Sequence, residues 1–431
     1  MQTLESAWGG EKKSTGRALT DLKVVSFAQV ISAPSATRML CDLGADVIKI
    51  EPPGGDVMRR IRPFKKDRRG KLQSGIFVAL NCGQRSLCLD LRTEKGCAVA
   101  RRLILDWADV VVANFTTGTL DKFGLNYESI CKQKPGIIYG LISGYGQSGP
   151  WSRRRAYDVC VQSECGITAQ NGSWRGKPHR VGFSVLDYLA GRDLVIGVLA
   201  ALRSRDATGQ GMLVDCCLYN SGVSVLEDAI PGYDLEGVIP EPMGSRHPSA
   251  CPHGLYQTRD GYVNIIAIDN RLWSRLCEMM GDPGLQERAG FRTAPERIGN
   301  HEEVDATIER WTLKHTTGQV LALMEEHGLP HGHLCSVRDV IESEQTRYWE
   351  MAPQIDQPLL GPVRINGCPV KLSDADTDVR GAAPLLGEHN QEVLCDLLGF
   401  SGDEYRDLCE EEVLDAEIDP SGMPGDRRRS A

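Results

Sequence analysis

No stretch of the 431-residue chain stays apolar for long. The longest run, Leu194 to Leu202 around a single glycine, falls far short of the roughly 20 residues that a membrane-spanning helix needs, so no membrane partner is expected. The N-terminal segment MQTLESAWGGEKKSTGRAL has no apolar signal core and carries Glu5 and Glu11, unlike secretory or organellar leaders. A cytoplasmic protein is the expectation. An excess of basic charge is also missing. The formal net charge is −9, which disfavours nucleic acid as the main partner, because phosphate backbones call for a net basic face.

The pairing motifs of cysteine chemistry are absent although cysteine is not. Fifteen cysteines include no C-x-x-C, and the nearest pairs are Cys216-Cys217 and Cys160 with Cys165. An odd count without a leader reads as reduced, mostly buried thiols, and no metal site is predicted. His331-Gly-His333 follows Gly328 and Pro330 in a turn, with no third ligand in sight. The phosphate-cradling motifs are lacking too. After the first apolar run the chain reads AQVISAPSA, without G-x-G-x-x-G, and no P-loop occurs. Ser143-Gly-Tyr-Gly is not G-x-S-x-G, and no nearby histidine suggests a triad. A dinucleotide dehydrogenase is therefore disfavoured.

What is present is alternation. Lys23–Val30 is an apolar, β-branched run; Ser35 can cap a helix to Leu43, and Asp46–Ile50 is the next strand. A second unit runs from Ser86–Leu91 through a helix capped by Thr93 (Glu94 to Trp107) into Val110–Asn114. A third passes through Tyr127–Gln133, breaks at Pro135-Gly136 and returns as Ile137–Ile142. Strands alternating with helices imply a mostly parallel sheet covered on both faces. Tyr188–Arg203 reads as a helix with Leu194, Val195, Val198, Leu199 and Leu202 on one face, followed by the strand Met212–Cys217. Around Asp228–Pro252 periodicity fades into a Pro- and Gly-rich linker. Beyond it come a strand at Gly261–Ile268 and helices starting at Asn270, Asn300 and Thr317, the pattern of a smaller α+β domain. The tail from Asp419 is Pro-, Gly- and Arg-rich and is expected to fray. A chain this long exceeds the size at which one core stops growing, so two domains are expected.

Four features could carry chemistry. Arg59–Lys71 (RRIRPFKKDRRGK) sets eight basic residues against one acid, either as a solvated, mobile loop or as a clamp for a polyanionic cofactor. Arg153-Arg154-Arg155 is a smaller cluster of the same kind. Glu51 ends the second strand, where it reads as a solvated strand end or, with the right glycines, a ribose-binding acid. Asp187 stands just before the apolar helix, at or next to its N-cap. There it is a helix cap worth about 0.5–2 kcal/mol, or a group at a helix N-terminus whose free N–H groups would steady an oxyanion in acyl transfer.

Here the chain becomes recognisable. The stretches LTDLKVVSFAQVISAP, LGADVIKIEPPGGD, NCGQRSLCLDLRTEKG, ADVVVANFTTGTLDKFGLNYE, ISGYGQSGP, AYDV, GVLAALRSRDATGQG and PLLGEHNQEVL together resemble the family III CoA-transferases, the CaiB/BaiF group that includes formyl-CoA transferase. The resemblance implies a doubly wound α/β large domain built from both chain ends, a smaller α+β domain, and an interlocked homodimer. On that basis residues 1–225 and 341–431 form the large CoA-binding domain and 226–340 the linker and small domain.

The resemblance places the nucleophile on Asp187. It places coenzyme A contacts on Ile31 and Ser32, on Leu89, Asp90, Leu91 and Arg92, on Asn114, Phe115 and Thr116, on Lys122, and on Arg155, Ala156, Tyr157 and Asp158. The substrates would be an acyl-CoA thioester and a carboxylic acid, with no permanently bound cofactor and no metal. Two departures stand out: Pro52 replaces an arginine of formyl-CoA transferase, and the region of its glycine-rich shielding loop reads MGSRHPSACPHG. Arg246, His247 and His253 lie in that segment, where a cation would favour an acceptor with a second carboxylate such as a C4 or C5 acid; the alternative is a linker whose charges face solvent. The racemase branch of the same superfamily pairs a histidine with the aspartate of AYDV, and this chain has Tyr157 there, which removes the base that α-proton abstraction needs. A non-catalytic acyl-CoA-binding protein would be expected to lack a reactive residue at position 187.

Overall fold

A computed structural model describes residues 16–417. The readings of the N-terminal segment and of the tail from Asp419 lie outside the described residues. The chain divides into two compact units.

Among the described residues the first unit comprises 16–165, Gly182–Leu226 and 344–417. Its six strands are β1 (Lys23–Phe27), β2 (Asp46–Glu51), β3 (Arg85–Cys88), β4 (Val110–Ala113), β5 (Ile138–Ser143) and β6 (Leu213–Cys217). They lie in the order β3-β2-β1-β4-β5-β6, and every neighbouring pair is parallel. The order reverses between β1 and β4, so the crevice at their C-terminal ends is the topological switch point where ligands bind in such sheets. The sequences explain the layering: VVVA of β4 is buried throughout, as strands covered on both faces must be.

The crossover helices that matter here are α1 (Ser32–Asp42), α2 (Glu94–Asp106), α3 (Asp158–Glu164) and α4 (Val185–Thr208). Helix α2 starts where Thr93 accepts a hydrogen bond from Gly96 N, so that reading of the sequence holds. Val393, Leu394, Leu398, Leu408 and Val413 share one core with Val25, Ile48, Val111 and Leu103, so the C-terminal stretch closes the sheet that the N-terminal half builds. Asn390 Oδ1 accepts from Cys88 N at 2.8 Å and fixes that return beside β3.

The second unit comprises Gly166–Val181 and Glu227–Ser343. Strands β7 (His253–Gln257), β8 (Tyr262–Ile266) and β9 (His331–His333) form an antiparallel sheet in the order β9-β8-β7. Helices at Asn270–Met279, His301–Thr312 and Thr317–Glu326 enclose a core around Trp273, Ile265, Ile308 and Val320. These units differ from the expected boundaries chiefly at Gly166–Val181, which clusters with the second unit. The stretch read as a linker carries a helix, Ala229–Glu236. Asp269 and Thr316 do the capping expected of Asn270 and Thr317, one residue upstream in each case. His331 and His333 stand on an edge strand, not in a turn. Among the described residues no helix is long and apolar enough to cross a membrane.

Candidate active site

The strand read as Lys23–Val30 stops at Phe27 because the next residues are pulled aside. Asn114, just past β4, accepts from Gln29 N at 2.8 Å and donates to Gln29 O at 2.7 Å. Val30 then takes φ 64°, a left-handed conformation that a β-branched residue adopts only when its surroundings impose it. The chain turns there into α1. The same Asn114 amide donates to Ser32 Oγ at 3.1 Å, and the Ser32 hydroxyl hydrogen-bonds the Asp187 side chain. Three residues expected at the site, Ser32, Asn114 and Asp187, are thus joined in one directed chain at the switch point.

Asp187 is not the cap of its helix. Ser184 occupies that position without a side-chain bond, and Asp187 is the third residue of α4. The cap comes from Asp158, whose Oδ2 accepts from Leu186 N at 2.8 Å and Asp187 N at 3.2 Å. Asp158 Oδ1 accepts from the Gln162 amide. Tyr188 N is bonded to Ser184 O and Val185 N to Phe183 O. The expectation that free N–H groups of this helix steady an oxyanion is therefore corrected: these donors are taken by protein acceptors.

Two carboxylates at one helix terminus leave Asp187 poorly stabilised as an anion. Burial first, and the Asp158 charge second, push its carboxyl up from the ordinary 3.8 to about 7, against the opposing hydrogen bond from Ser32. The close approach of the two helices is set by Gly191, one turn past Asp187. A Cβ there would lie 2.1 Å from Ser35 Oγ and 2.8 Å from Ser32 O, so no side chain fits between α1 and α4.

The other expected contacts fall around this centre unevenly. Phe115 and Thr116 line a pocket of about 160 Å³ with Tyr127, Tyr139 and Leu213. Ile31 packs beside Val30 against Met58 and Phe77. Leu89 is fully buried and Leu91 partly so. Asp90 and Arg92 form a bidentate pair, with Arg92 Nε to Asp90 Oδ1 at 2.8 Å and Nη2 to Oδ2 at 2.6 Å, so both are committed to the turn before α2. Asp158 is buried and committed to α4. Ala156 packs against Gly144, and Tyr157 is 73% exposed. Lys122 and Arg155 are exposed and make no ion pair among the described residues. Sequence reasoning missed Gln29; its signal was the broken end of the first apolar run.

Two charged features change their reading. Glu51 is buried, and Arg59 grips it with Nε at 2.8 Å and Nη2 at 2.6 Å. Burial opposes ionisation, yet Arg59 and Lys49 outweigh it and hold the carboxyl down at about 2. It is neither a solvated strand end nor a ribose ligand. The Arg59–Lys71 run is an ordered ribbon: Phe64–Lys66 pairs antiparallel with Leu72–Ser74, and Asp67 closes the turn by accepting from Arg69 N and Lys71 N.

In the second unit, Cys251, His301 and Asp305 bring ligand atoms within 4.8 Å of one another. Asp305 already accepts from Arg246 Nε at 2.6 Å and Tyr256 Oη at 2.7 Å, and burial pushes the Cys251 thiol up to about 12. A guanidinium on the carboxylate and a thiol that resists ionisation are poor terms for a cation. Arg246 also stacks on Trp174 at 4.4 Å.

Comparisons with known proteins bear on the family and the fold. The profile of CoA-transferase family III matches residues 19–390. A succinyl-CoA:mesaconate CoA-transferase of Haloarcula marismortui is 35% identical over 382 residues, covering 88% of this chain and 96% of the relative. A succinyl-CoA–D-citramalate CoA-transferase of Chloroflexus aurantiacus is 32% identical over 400 residues, covering 92% of this chain and 98% of the relative. The crystal structure of a CaiB/BaiF family protein from Brucella suis superposes with a TM-score of 0.80 at 34% identity, covering 89% of this chain and all of that one. A profile match across most of the sequence, relatives aligned nearly end to end, and the parallel sheet in common make the assignment: the chain belongs to CoA-transferase family III.

Proposed function

We propose that the chain moves coenzyme A from succinyl-CoA to a C4 or C5 dicarboxylic acid, with Asp187 as the covalent nucleophile. The observation that carries this reading is the Asp187 carboxyl itself, half-buried beside Asp158 and pushed up to about 7 at the switch point. Its ionised form attacks the thioester carbonyl, giving a mixed anhydride and the CoA thiolate. The thiolate attacks the aspartyl carbonyl, the donor acid leaves as its carboxylate, and an aspartyl-CoA thioester remains. The acceptor carboxylate attacks that thioester and releases the thiolate, which attacks the acceptor's acyl carbon and frees Asp187. Each step exchanges one acyl bond for another, so no external energy source is required. Both covalent intermediates are neutral at Asp187, so each removes the buried charge and its conflict with Asp158.

The names of the relatives favour a dicarboxylate, since mesaconate and citramalate are both C5 diacids. The phosphates of CoA are assigned to the uncommitted cations Lys122 and Arg155, with Ile31, Phe115 and Thr116 against its apolar parts; Leu89, sealed in the core, is not among its contacts. An interlocked homodimer completes the reading. Exposed apolar side chains on each unit support it, among them Phe183 and Ile196 on the first and Leu235 and Ile239 on the second. Light scattering at micromolar concentration is expected to give a dimer, and a stable monomer would remove that part. The chemistry is tested by incubating the wild type with succinyl-CoA, quenching with hydroxylamine and mapping the product by mass spectrometry. A hydroxamate on Asp187 is expected; transfer activity retained by Asp187→Ala would end the mechanism.

A further inference from the structure

We propose that the exposed cations of the Arg60–Lys71 ribbon, Arg60 and Arg62 foremost, bind the second carboxylate of the dicarboxylate substrates. The inference rests on the dicarboxylate reading above and names the residues that would enforce it.

Two of the eight basic residues of Arg59–Lys71 are structural. Arg59 holds Glu51 and the Pro384 carbonyl, and Arg69 is paired with Asp67 and Glu417. The other six, Arg60, Arg62, Lys65, Lys66, Arg68 and Lys71, are exposed and make no ion pair among the described residues, although Arg60 donates to Gly54 O at 3.3 Å and Arg62 lies over the Phe64 ring at 5.8 Å. In a mobile loop such charges would spread apart. Here the ribbon is stapled: Ser74 Oγ donates to Ile61 O at 2.6 Å, Gly75 N to Pro63 O at 2.8 Å, and Arg68 N to Leu359 O at 2.9 Å. Like charges fixed close together in an otherwise acidic chain repel one another, and an anion placed among them relieves that repulsion.

The base of the ribbon points to which anion. Met58 and Phe77 pack in one cluster with Val30 and Ile31, and Asp56, which caps the turn holding Met58, accepts from Val30 N at 3.4 Å. Ile31 is followed directly by Ser32, the residue bonded to Asp187. The ribbon is therefore rooted in the layer that shapes the loop beside the nucleophile, and Arg60 and Arg62, two and four residues beyond Met58, are its cations nearest in sequence to that root. Arg246, which the sequence offered for this task, is committed to Asp305 and Trp174.

The test compares wild type with Arg60→Gln, Arg62→Gln and the double variant, all changes at exposed side chains. Donors are succinyl-CoA, butyryl-CoA (the same carbon chain without the distal carboxylate) and the succinyl thioester of 3′-dephospho-CoA. The double variant is expected to lose about 10- to 100-fold in kcat/KM for succinyl-CoA, the usual worth of a charged hydrogen bond, with little change for butyryl-CoA. Equal losses on all thioesters that bear the 3′-phosphate, and none on the dephospho thioester, would assign the ribbon to CoA itself and overturn the proposal. Unchanged discrimination in the double variant overturns it and leaves the dicarboxylate reading standing. A wild type that handles butyryl-CoA as well as succinyl-CoA would overturn both.

Discussion

Replacing Asp187 with asparagine should stabilise the protein while abolishing transfer, and the gain should depend on pH. A carboxyl raised from 3.8 to about 7 disfavours its own ionised form by at most about 4 kcal/mol. The side chain is only partly sealed from water, and screening reduces this to roughly 1–3 kcal/mol. The sign follows from the direction of the change. Because the folded value lies above the unfolded one, the carboxyl costs nothing below about pH 4, and its penalty grows as pH rises toward 7 and is constant above that. Asparagine keeps the size of the side chain and an oxygen to accept from Ser32, but carries no charge. Thermal unfolding of wild type and Asp187→Asn should therefore nearly coincide at pH 4. By pH 8 the variant should melt about 3–8 °C higher, on the usual conversion for domains of a few hundred residues. A variant no more stable than wild type at pH 8, or one whose advantage is the same at pH 5 and pH 8, would refute the idea that the site holds this carboxylate at a cost.

The same electrostatics set the pH–rate profile. Activity should rise with pH through about 7 as Asp187 ionises, visible in kcat/KM. Asp158→Asn removes the neighbouring charge, so the rising limb should move to lower pH, while an amide oxygen can still accept from Leu186 N and Asp187 N and only the charge at the helix N-terminus, about 0.3–1 kcal/mol, is lost. Ser32→Ala removes a hydrogen bond to the carboxylate and should move the limb the other way; a shift in the same direction for both variants would contradict the assignment. Gly191→Ala should force α1 and α4 apart beside the nucleophile, lowering stability by about 1–3 kcal/mol in denaturant titrations and kcat at least tenfold, because its Cβ would meet Ser35 Oγ at 2.1 Å.

The strands were legible because buried parallel strands are continuous apolar runs, and the run that became β4 cannot be read otherwise. Their ends were less so. The first strand reads through Val30 on composition, but Asn114, some 85 residues further on, takes the backbone of Gln29 out of the sheet. Asp187 shows the same limit at the site. A local reading makes an acidic residue before an apolar helix its cap, whereas Asp158 performs that task from 28 residues upstream of Leu186. Gly166–Val181 carries no periodicity that would separate it from its flanks, so its membership of the second unit was invisible. The basic run was legible as charge, but not as structure, since its order depends on Glu51, Pro384 and Leu359.

The way the first turn of α4 is satisfied bears on the chemistry. A helix N-terminus offers about half a unit of positive charge and several unpaired donors, enough to make one carboxylate comfortable. Here Asp158 takes the N–H groups of Leu186 and Asp187, while Phe183 O takes that of Val185 and Ser184 O that of Tyr188. Asp187 is left with Ser32 and with the repulsion of its neighbour. Acylation removes that repulsion, so the covalent intermediate is the state in which the polar groups of the site conflict least. It also follows that the oxyanion formed at each addition cannot be held by the first turn of α4. Gln29 lies in the loop that Asn114 clamps beside Ser32, and its side-chain amide has no hydrogen-bond partner among the described residues. Val30, which follows it, is held at φ 64°, a strained conformation for a β-branched residue.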